Sequence, residues 1–472
     1  MKSKVTSVEK KHRNKIYQYV AAFTANLGII CSEMHYGWPS PSLPILINGN
    51  YTFQITSEEG SWIAVIPLIG AIFGAFVTGL VVDHLGRKKM VIFSSFPFVV
   101  SWLMIGLAKS STLLYVGRFI AGATDGMSFT AVPMYLGEIS EPRIRGLLAS
   151  VCPVSIVLGL LLINVLGSYL PIDTTAYIAT IIPILLFLLF IWMPESPYFH
   201  LIKGNKEAAK KSLVKFRGTT NVDEELDRMA LGVKEQNENT GKFFDLFTVK
   251  CNRKALFIAF GLRTVQQLSG TTAIIIYCKT IFNEARHFMA PNIGPIIFFM
   301  VQLIMSAISS SIVDLTGRRP LLIISITGTS FTLLLNGIFL YIKNCTEIDT
   351  TDFNFVPIIA LIGFVVIFSV GLQTIPLLVM GEIFPTNVKA FALCTADIYF
   401  SVIATLVSKF FHWTNEAFGM HVPFFVFTFC CVVGLFFILH CVPETKGKTL
   451  EDIQRLLKGE ELQDYRRPSK IV

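Results

Sequence analysis

Apolar runs of about 20 residues, the length a helix needs to cross the hydrocarbon core of a bilayer, recur along this chain. They fall near 16–38, 60–82, 90–108, 112–135, 147–170 and 174–193, and then near 255–283, 293–313, 320–342, 354–381, 389–411 and 421–442. The helices of a soluble bundle keep one polar face, whereas these runs are apolar all round. The pattern predicts an all-α membrane protein of twelve transmembrane helices in two six-helix halves. It divides the chain into an N-terminal segment 1–15, a first half 16–193, a link 194–254, a second half 255–442 and a tail 443–472. In the link, Leu213, Val214 and Phe216, and then Leu226 to Leu231, stand among mixed charges, which predicts two or three short amphipathic helices rather than a catalytic domain.

The polar residues that punctuate the runs repeat. Asp83, Gly86, Arg87 and Lys88 close the second run and open the third, and Asp314, Gly317, Arg318 and Arg319 do the same between the eighth and ninth. A carboxylate, a glycine for a turn too tight for a Cβ and a pair of cations make a short hairpin at the membrane edge. Two further pairs keep register: Glu138 with Arg145 answers Glu382 with Lys389, and Pro194, Glu195 and Ser196 answer Pro443, Glu444 and Thr445. Three matched pairs in one order point to duplication of an ancestral half. Opposite charges at these hairpins are expected to form a gating network of Asp83, Arg87, Glu138 and Arg145 in one half and Asp314, Arg318, Glu382 and Lys389 in the other.

The mean hydropathy of +0.60 and the 15% share of charged residues exclude an ordinary soluble enzyme. The formal charge of +8 does not signal nucleic acid, because the bases sit at the edges of the runs. Lys2, Lys4, Lys10, Lys11, Arg13 and Lys15, then Arg87 to Lys89, Arg143, Arg145, Arg318, Arg319 and Lys389 all fall on one side of a twelve-span topology. The positive-inside rule makes that side, with both termini, cytosolic. The two glycosylation sequons, at Asn50 and Asn344, fall on the opposite side and are expected to carry glycans. The first run is too long for a cleaved signal peptide and reads as an uncleaved anchor. Most of the nine cysteines lie in apolar runs and Cys345 in an outer loop, without metal spacing or a disulfide framework. No phosphate-binding loop, dinucleotide fingerprint or Ser/His/Asp spacing occurs, so neither ATP-driven pumping nor enzymatic catalysis has a sequence basis, and no cofactor or metal is expected.

Polar groups inside the runs are the candidate chemistry. Glu33 and His35 lie near the end of the first, where they read either as a proton-coupling pair or as rim residues in water. Gly70, Gly74 and Gly79 line the second run with the small residues of closely packed helices. Gln266 and Gln267 open the second half, followed by Thr272 and Tyr277. A single buried amide reads as a tie between helices, but adjacent amides on a helix point about 100° apart, so at least one is expected to face a cavity.

Taken together, Gly79, Asp83, Gly86, Arg87 and Lys88; Pro133, Tyr135 and Glu138; Arg145 and Gly146; Pro194 to Pro197; Gln266 to Gly270; Asp314 and Gly317 to Arg319; and Pro443 to Gly447 resemble the sugar porters of the major facilitator superfamily. Within them the chain is most similar to the insect facilitated trehalose and glucose transporter branch, with its Gly37, Trp38, Ser40 and Pro41 after the first span. The resemblance implies a sugar site at the midplane between the halves, built here from Gln266, Gln267, Thr272, Tyr277, Gln302, Leu377 and Phe400. Several positions depart from the family pattern. Thr272 replaces the usual Asn, Pro376 is followed by Leu377 rather than Trp, Leu372 and Gln373 stand where Gly-Pro is usual, Phe400 and Ser401 replace an Asn-Trp pair, and Pro153 stands where Gln is common. Each buried partner left unpaired removes about 1–3 kcal/mol from a site built around hydroxyls.

The expected function is facilitative transport of a hexose or a small disaccharide such as trehalose by alternating access in the plasma membrane. A sugar sensor without transport, and a proton-coupled symporter resting on Glu33 and His35, are the alternatives. The expected partners are a small-molecule sugar and the lipid bilayer, with no nucleic acid and no obligate protein partner.

Overall fold

The computed structural model describes residues 16–49, 51–141, 144–238, 243–286, 289–446, 448 and 450–458. The described residues form helices and no strands. In the first half the spans are Ile16–Gly37 with its extension Pro39–Ile47, Ser57–Leu85, Arg87–Gly106, Ser111–Ile139, Arg145–Tyr169, and Ile172–Ala179 with Ile181–Phe190. In the second half they are Lys250–Leu268 continued by Thr271–Ile276 and Cys278–Asn283, then Ile293–Thr316, Arg318–Cys345, Val356–Val370 with Ile375–Ile383, Thr386–Phe418 and His421–Cys441. Between the halves lie Pro197–Ile202, Lys206–Arg217, Asp223–Glu238 and Asp245–Thr248, four short helices where two or three were expected. The second and third pack through Ala209, Leu213, Val222, Leu226 and Met229, a small core of their own.

Among the described residues, eight helices are long and apolar enough to cross a membrane on composition alone. The first, fourth, seventh and eighth spans are not among them; the eighth is apolar over the shorter stretch Ile293–Ser309. The first, fourth and seventh carry Glu33, Arg118, Asp125 and Arg263, and helices burdened in this way must face the protein interior rather than lipid. Most helices outrun their apolar runs, the eleventh reaching from Thr386 to Phe418. Cys345, expected in a loop, is the last residue of the ninth helix.

The second and fourth spans come close enough for backbone to touch backbone. A Cβ added at Gly122 would lie 1.9 Å from the Pro67 carbonyl oxygen, and one at Gly74 would lie 1.8 Å from that of Ala123. Small residues are what permit such an approach. Gly79 plays no part in it, since a Cβ there would meet nothing within 4 Å. The second span starts on a capping box, in which Thr56 accepts from the Glu59 amide and the Glu59 carboxylate accepts from that of Thr56.

The repeated motifs converge into one cluster per half, on the face that carries the linker helices. Gly86 and Gly317 have φ of +98° and +107°, which only glycine adopts without strain. That turn lets a carboxylate from the end of the half cap the next helix. Glu195 accepts from the Lys88 amide at 2.9 Å, and Glu444 accepts from the Arg318 and Arg319 amides at 3.1 and 3.0 Å. Burial opposes the charge on Glu444, yet the amides of Lys446, Arg318, Arg319 and Thr445 outweigh it and hold the carboxyl below its usual range. The arginine after each glycine reaches the partly buried glutamate of the fourth or tenth span: Arg87 to Glu138 at 2.9 Å and Arg318 to Glu382 at 2.9 Å. Arg87 also pairs with Asp83 at 2.8 Å. Ser196 and Thr445 donate to the second oxygen of Glu138 and Glu382. Lys389 donates to the Gly381 carbonyl at 2.5 Å. The side chains of Arg145 and Asp314 lie outside the described residues, as does Asn50.

Candidate functional site

The halves meet along the second and eleventh spans, along the fifth and eighth, and where the extension of the first meets the end of the seventh. On the face away from the linker these seams are closed by polar ties. Lys409 donates to Glu58 at 2.8 Å and to Ser61 at 2.7 Å, and its ammonium lies 4.2 Å from the centre of the Trp62 ring. Ser57 donates to Glu416, the Lys279 amide to Ser40 at 3.3 Å, and the Asn292 side chain to the Ser168 carbonyl at 3.2 Å. This latch was not anticipated. Glu58 opens the second span and Lys409 falls near the end of the apolar run 389–411, and single ionisable residues at such places read as ordinary interface anchors.

Deeper in, the Tyr36 hydroxyl donates to Thr272 at 2.8 Å, and Thr272 donates to the Gln267 carbonyl at 2.6 Å, so a chain of hydrogen bonds crosses between the halves. Gln267 is fully buried and, among the described residues, its Nε2 has no hydrogen-bond partner. Gln302 donates to Gln373 at 3.3 Å, while its own buried Oε1 has no partner among the described residues. An amide donor and an amide acceptor left open in the protein interior are costly unless something else fills them.

Gln266 is used differently. The tenth span breaks between Val370 and Ile375, and the Gln266 amide donates to the freed carbonyls of Leu372 and Gln373 at 2.9 and 3.2 Å. Broken backbone inside a membrane must be satisfied by protein. The Gln266 oxygen accepts from Arg263 at 3.1 Å. Of the two adjacent amides, Gln266 ties helices together and Gln267 keeps an open group. Tyr277 stacks on Phe411, with ring centres 5.2 Å apart. Phe400 is half-buried beneath the Arg263 guanidinium, 4.9 Å from its ring centre, and Leu377 is half-exposed on the lower part of the tenth span.

Glu33 and His35 are not rim residues in water, because the first span continues for another turn and more beyond them as Pro39–Ile47. His35 is buried in an aromatic slot, its ring stacked 3.8 Å from Trp102 and 5.6 Å from Phe98. Behind it Arg118, wholly buried, donates to the carbonyls of His35 and Ile63 and lies over Trp38.

Two further ionisable groups, both overlooked in the sequence, stand near the midplane. Asp125, in the middle of the fourth span, accepts from Ser32 of the first. Asp397 of the eleventh pairs with Arg263 of the seventh at 3.1 Å. The carboxylate of Asp397 is 49% exposed although it lies well inside a membrane helix, while Arg263 is 10% exposed. A charge so placed must face water inside the protein rather than lipid. The only available signal was a charge within an apolar run.

The chain matches the model of the sugar (and other) transporter family over residues 12–457. It is 34% identical over 453 residues to the facilitated trehalose transporter Tret1 of Anopheles gambiae, covering 94% of this chain and 57% of that protein. To the Bombyx mori Tret1 it is 33% identical over 441 residues, covering 93% and 86%. The chain thus spans little more than half the length of the mosquito relative. Among solved structures it superposes on the xylose transporter XylE from E. coli in an inward-open conformation, with TM-score 0.77 and 21% identity over 93% of this chain and 99% of that one. The proton:xylose symporter XylE bound to 6-bromo-6-deoxy-D-glucose, of the major facilitator superfamily, gives 0.75 at 22% identity, covering 94% and 100%. The fold is therefore the twelve-helix major facilitator fold, and the family match over nearly the whole length carries the conclusion that this chain belongs to the sugar transporter family.

Proposed function

We propose that the chain carries a sugar, a hexose or a small disaccharide, passively across the plasma membrane by alternating access. The observation that carries this reading is the pair of open amide groups, Gln267 Nε2 and Gln302 Oε1, buried where the halves meet. A sugar hydroxyl both donates and accepts, so one class of ligand satisfies both. The described conformation is sealed at the latch face by Lys409 and Glu58, as one end state of a rocking cycle requires. We assign the linker face to the cytosol, which leaves the exposed Asn344 on the outer side. Asp83, Arg87, Glu138, Arg318, Glu382 and Lys389 hold each half rigid as it moves, because every described pair among them lies within one half.

The test is sugar binding to the purified protein. Glucose and trehalose are expected to bind with millimolar dissociation constants, about −4 kcal/mol. Gln267→Ala is expected to weaken binding by about tenfold, the 1–3 kcal/mol of one buried hydrogen bond. Unaltered binding in this variant would remove the seventh span from the sugar site.

A further inference from the structure

The latch on the face away from the linker encloses one more side chain, His412 of the eleventh span. Its side chain is 9% exposed, and its ring stacks on Tyr277 of the seventh span with ring centres 6.3 Å apart. Its Nε2 lies 3.7 Å from Glu58 of the first half and 3.5 Å from Glu416, one turn further along its own helix. Among the described residues that buried nitrogen has no hydrogen-bond partner. An imidazole nitrogen left unsatisfied beside two carboxylates is placed to take up a proton.

The charges around it favour the same event. Glu58 and Glu416 bring two negative charges to the seam, and Lys409, 2.8 Å from Glu58, brings one positive charge. Ser57 donates to Glu416 without adding charge, and Tyr277 carries none near neutral pH. While His412 is neutral the group holds one negative charge in excess, which an imidazolium cancels. Lys409 repels that imidazolium, but two carboxylates outweigh one ammonium.

Only part of this network crosses between the halves, and that part decides what protonation does. Glu416 and Lys409 share a helix with His412 and stay beside it whatever the halves do. Glu58 stands on the second span and departs when the latch face opens. The closed state thus holds a proton on His412 more tightly than the open state, and by linkage the proton stabilises the closed state. Acid strengthens the latch, and raising the pH through the titration of the histidine weakens it.

We propose that His412 is a proton sensor in the latch, through which acid on the latch side holds the carrier closed on that side. Glu58 and Glu416 are 63% and 49% exposed, so solvent on that face reaches the cluster. The proton enters and leaves on one side, and no uphill transport is driven by it. The inference rests on the sugar-carrier reading with the latch face outside, and adds a control to it.

The experiment is initial uptake of labelled glucose and trehalose by cells expressing the full chain, with the medium at about pH 7.5 or about pH 5.5, either side of the ordinary histidine range. Uptake is expected to fall about fivefold on acidification, the upper end of what one partly exposed ion pair supplies. His412→Gln and Glu58→Gln are each expected to bring the ratio of the two rates close to one. A second measurement reads the latch without transport, from the distance between spin labels at Lys109→Cys and Phe418→Cys, exposed positions on the first and second halves. In the purified protein the short-distance population is expected to grow on acidification, and not when His412→Gln is added. An equal fall of uptake in the unmodified protein and in His412→Gln, or a label distance that ignores pH, would overturn the sensor and leave sugar carriage standing. A distance that responds to pH through His412, with no uptake of any sugar at either pH, would uphold the sensor and overturn the carrier reading.

Discussion

Gly122→Ala is expected to leave little folded protein in the membrane, and Gly74→Ala to behave alike. The added methyl at either position would fall less than 2 Å from a carbonyl oxygen of the facing helix, at 1.9 and 1.8 Å. Neither contact can be relieved by a side-chain rotation, because the obstructing atom is backbone. The second and fourth spans must move apart, losing the packing that associates helices in lipid, where no hydrophobic effect between them compensates. Overpacking in soluble cores costs about 1–3 kcal/mol where side chains can adjust, so the expected loss lies at or above that range. Size-exclusion profiles and thermal melts in mild detergent read it directly. Gly79→Ala is the internal control, since a Cβ there meets nothing within 4 Å, and it should melt like the unmodified protein. A monodisperse Gly122→Ala protein with an unchanged melting temperature would show that the two helices do not pack as described.

The second large effect is expected at Arg87. Its side chain is 4% exposed and its guanidinium joins Glu138, 17% exposed, to Asp83, 59% exposed. Arg87→Ala strands the Glu138 carboxylate beside Ser196, and removing one partner of a buried pair costs about 3–5 kcal/mol. Asp83→Ala removes only the solvated partner and should cost about 0–1 kcal/mol. Arg318→Ala repeats the experiment in the second half, where Glu382 would be left beside Thr445. Because each network is internal to one half, the variants are expected to lose thermal stability together with transport, rather than transport alone. Melting curves of Arg87→Ala and Asp83→Ala side by side decide the matter: indistinguishable curves would mean that the buried pair contributes nothing that the exposed one does not.

What could be read from the sequence follows from what lipid demands. A bilayer imposes length and apolarity on every crossing segment, so the spans from Ser57–Leu85 to His421–Cys441 were visible as runs, and the hairpin turns at Gly86 and Gly317 as their punctuation. The duplicated Pro-Glu-Ser and Pro-Glu-Thr motifs were legible as a repeat, but their use was not. That Glu195 and Glu444 cap the third and ninth helices depends on positive-φ turns 109 and 127 residues away, and no local pattern records that approach. The helix ends drifted for a similar reason. The first run reads as ending near Trp38, before Pro39 and Pro41, whereas prolines in the first turn of a helix are tolerated, and a second helix begins there.

The candidate site was half legible. Adjacent amides at Gln266 and Gln267 announced themselves, and helical spacing required at least one to face a cavity, but both were expected to meet sugar, whereas the amide of Gln266 is taken up by broken backbone. Which one binds protein depended on where the tenth span breaks, a matter of Gly371 to Thr374 packing against Ser325 and Gln266. Asp125 and Asp397 were passed over because a single acid in a long apolar run has no partner in its own neighbourhood. Their significance lies in Ser32 and Arg263, which come from other helices.

The central claim is passive carriage of a sugar by a protein that exposes one site alternately to each side. Counterflow measures it most directly. Liposomes holding the purified chain are loaded with unlabelled sugar, diluted into labelled sugar, and followed in the absence of any ion gradient. The account predicts a transient accumulation of label above its external concentration, which an imposed pH gradient does not increase. Label that never exceeds the external concentration with any hexose or disaccharide, while the protein remains folded, would contradict it.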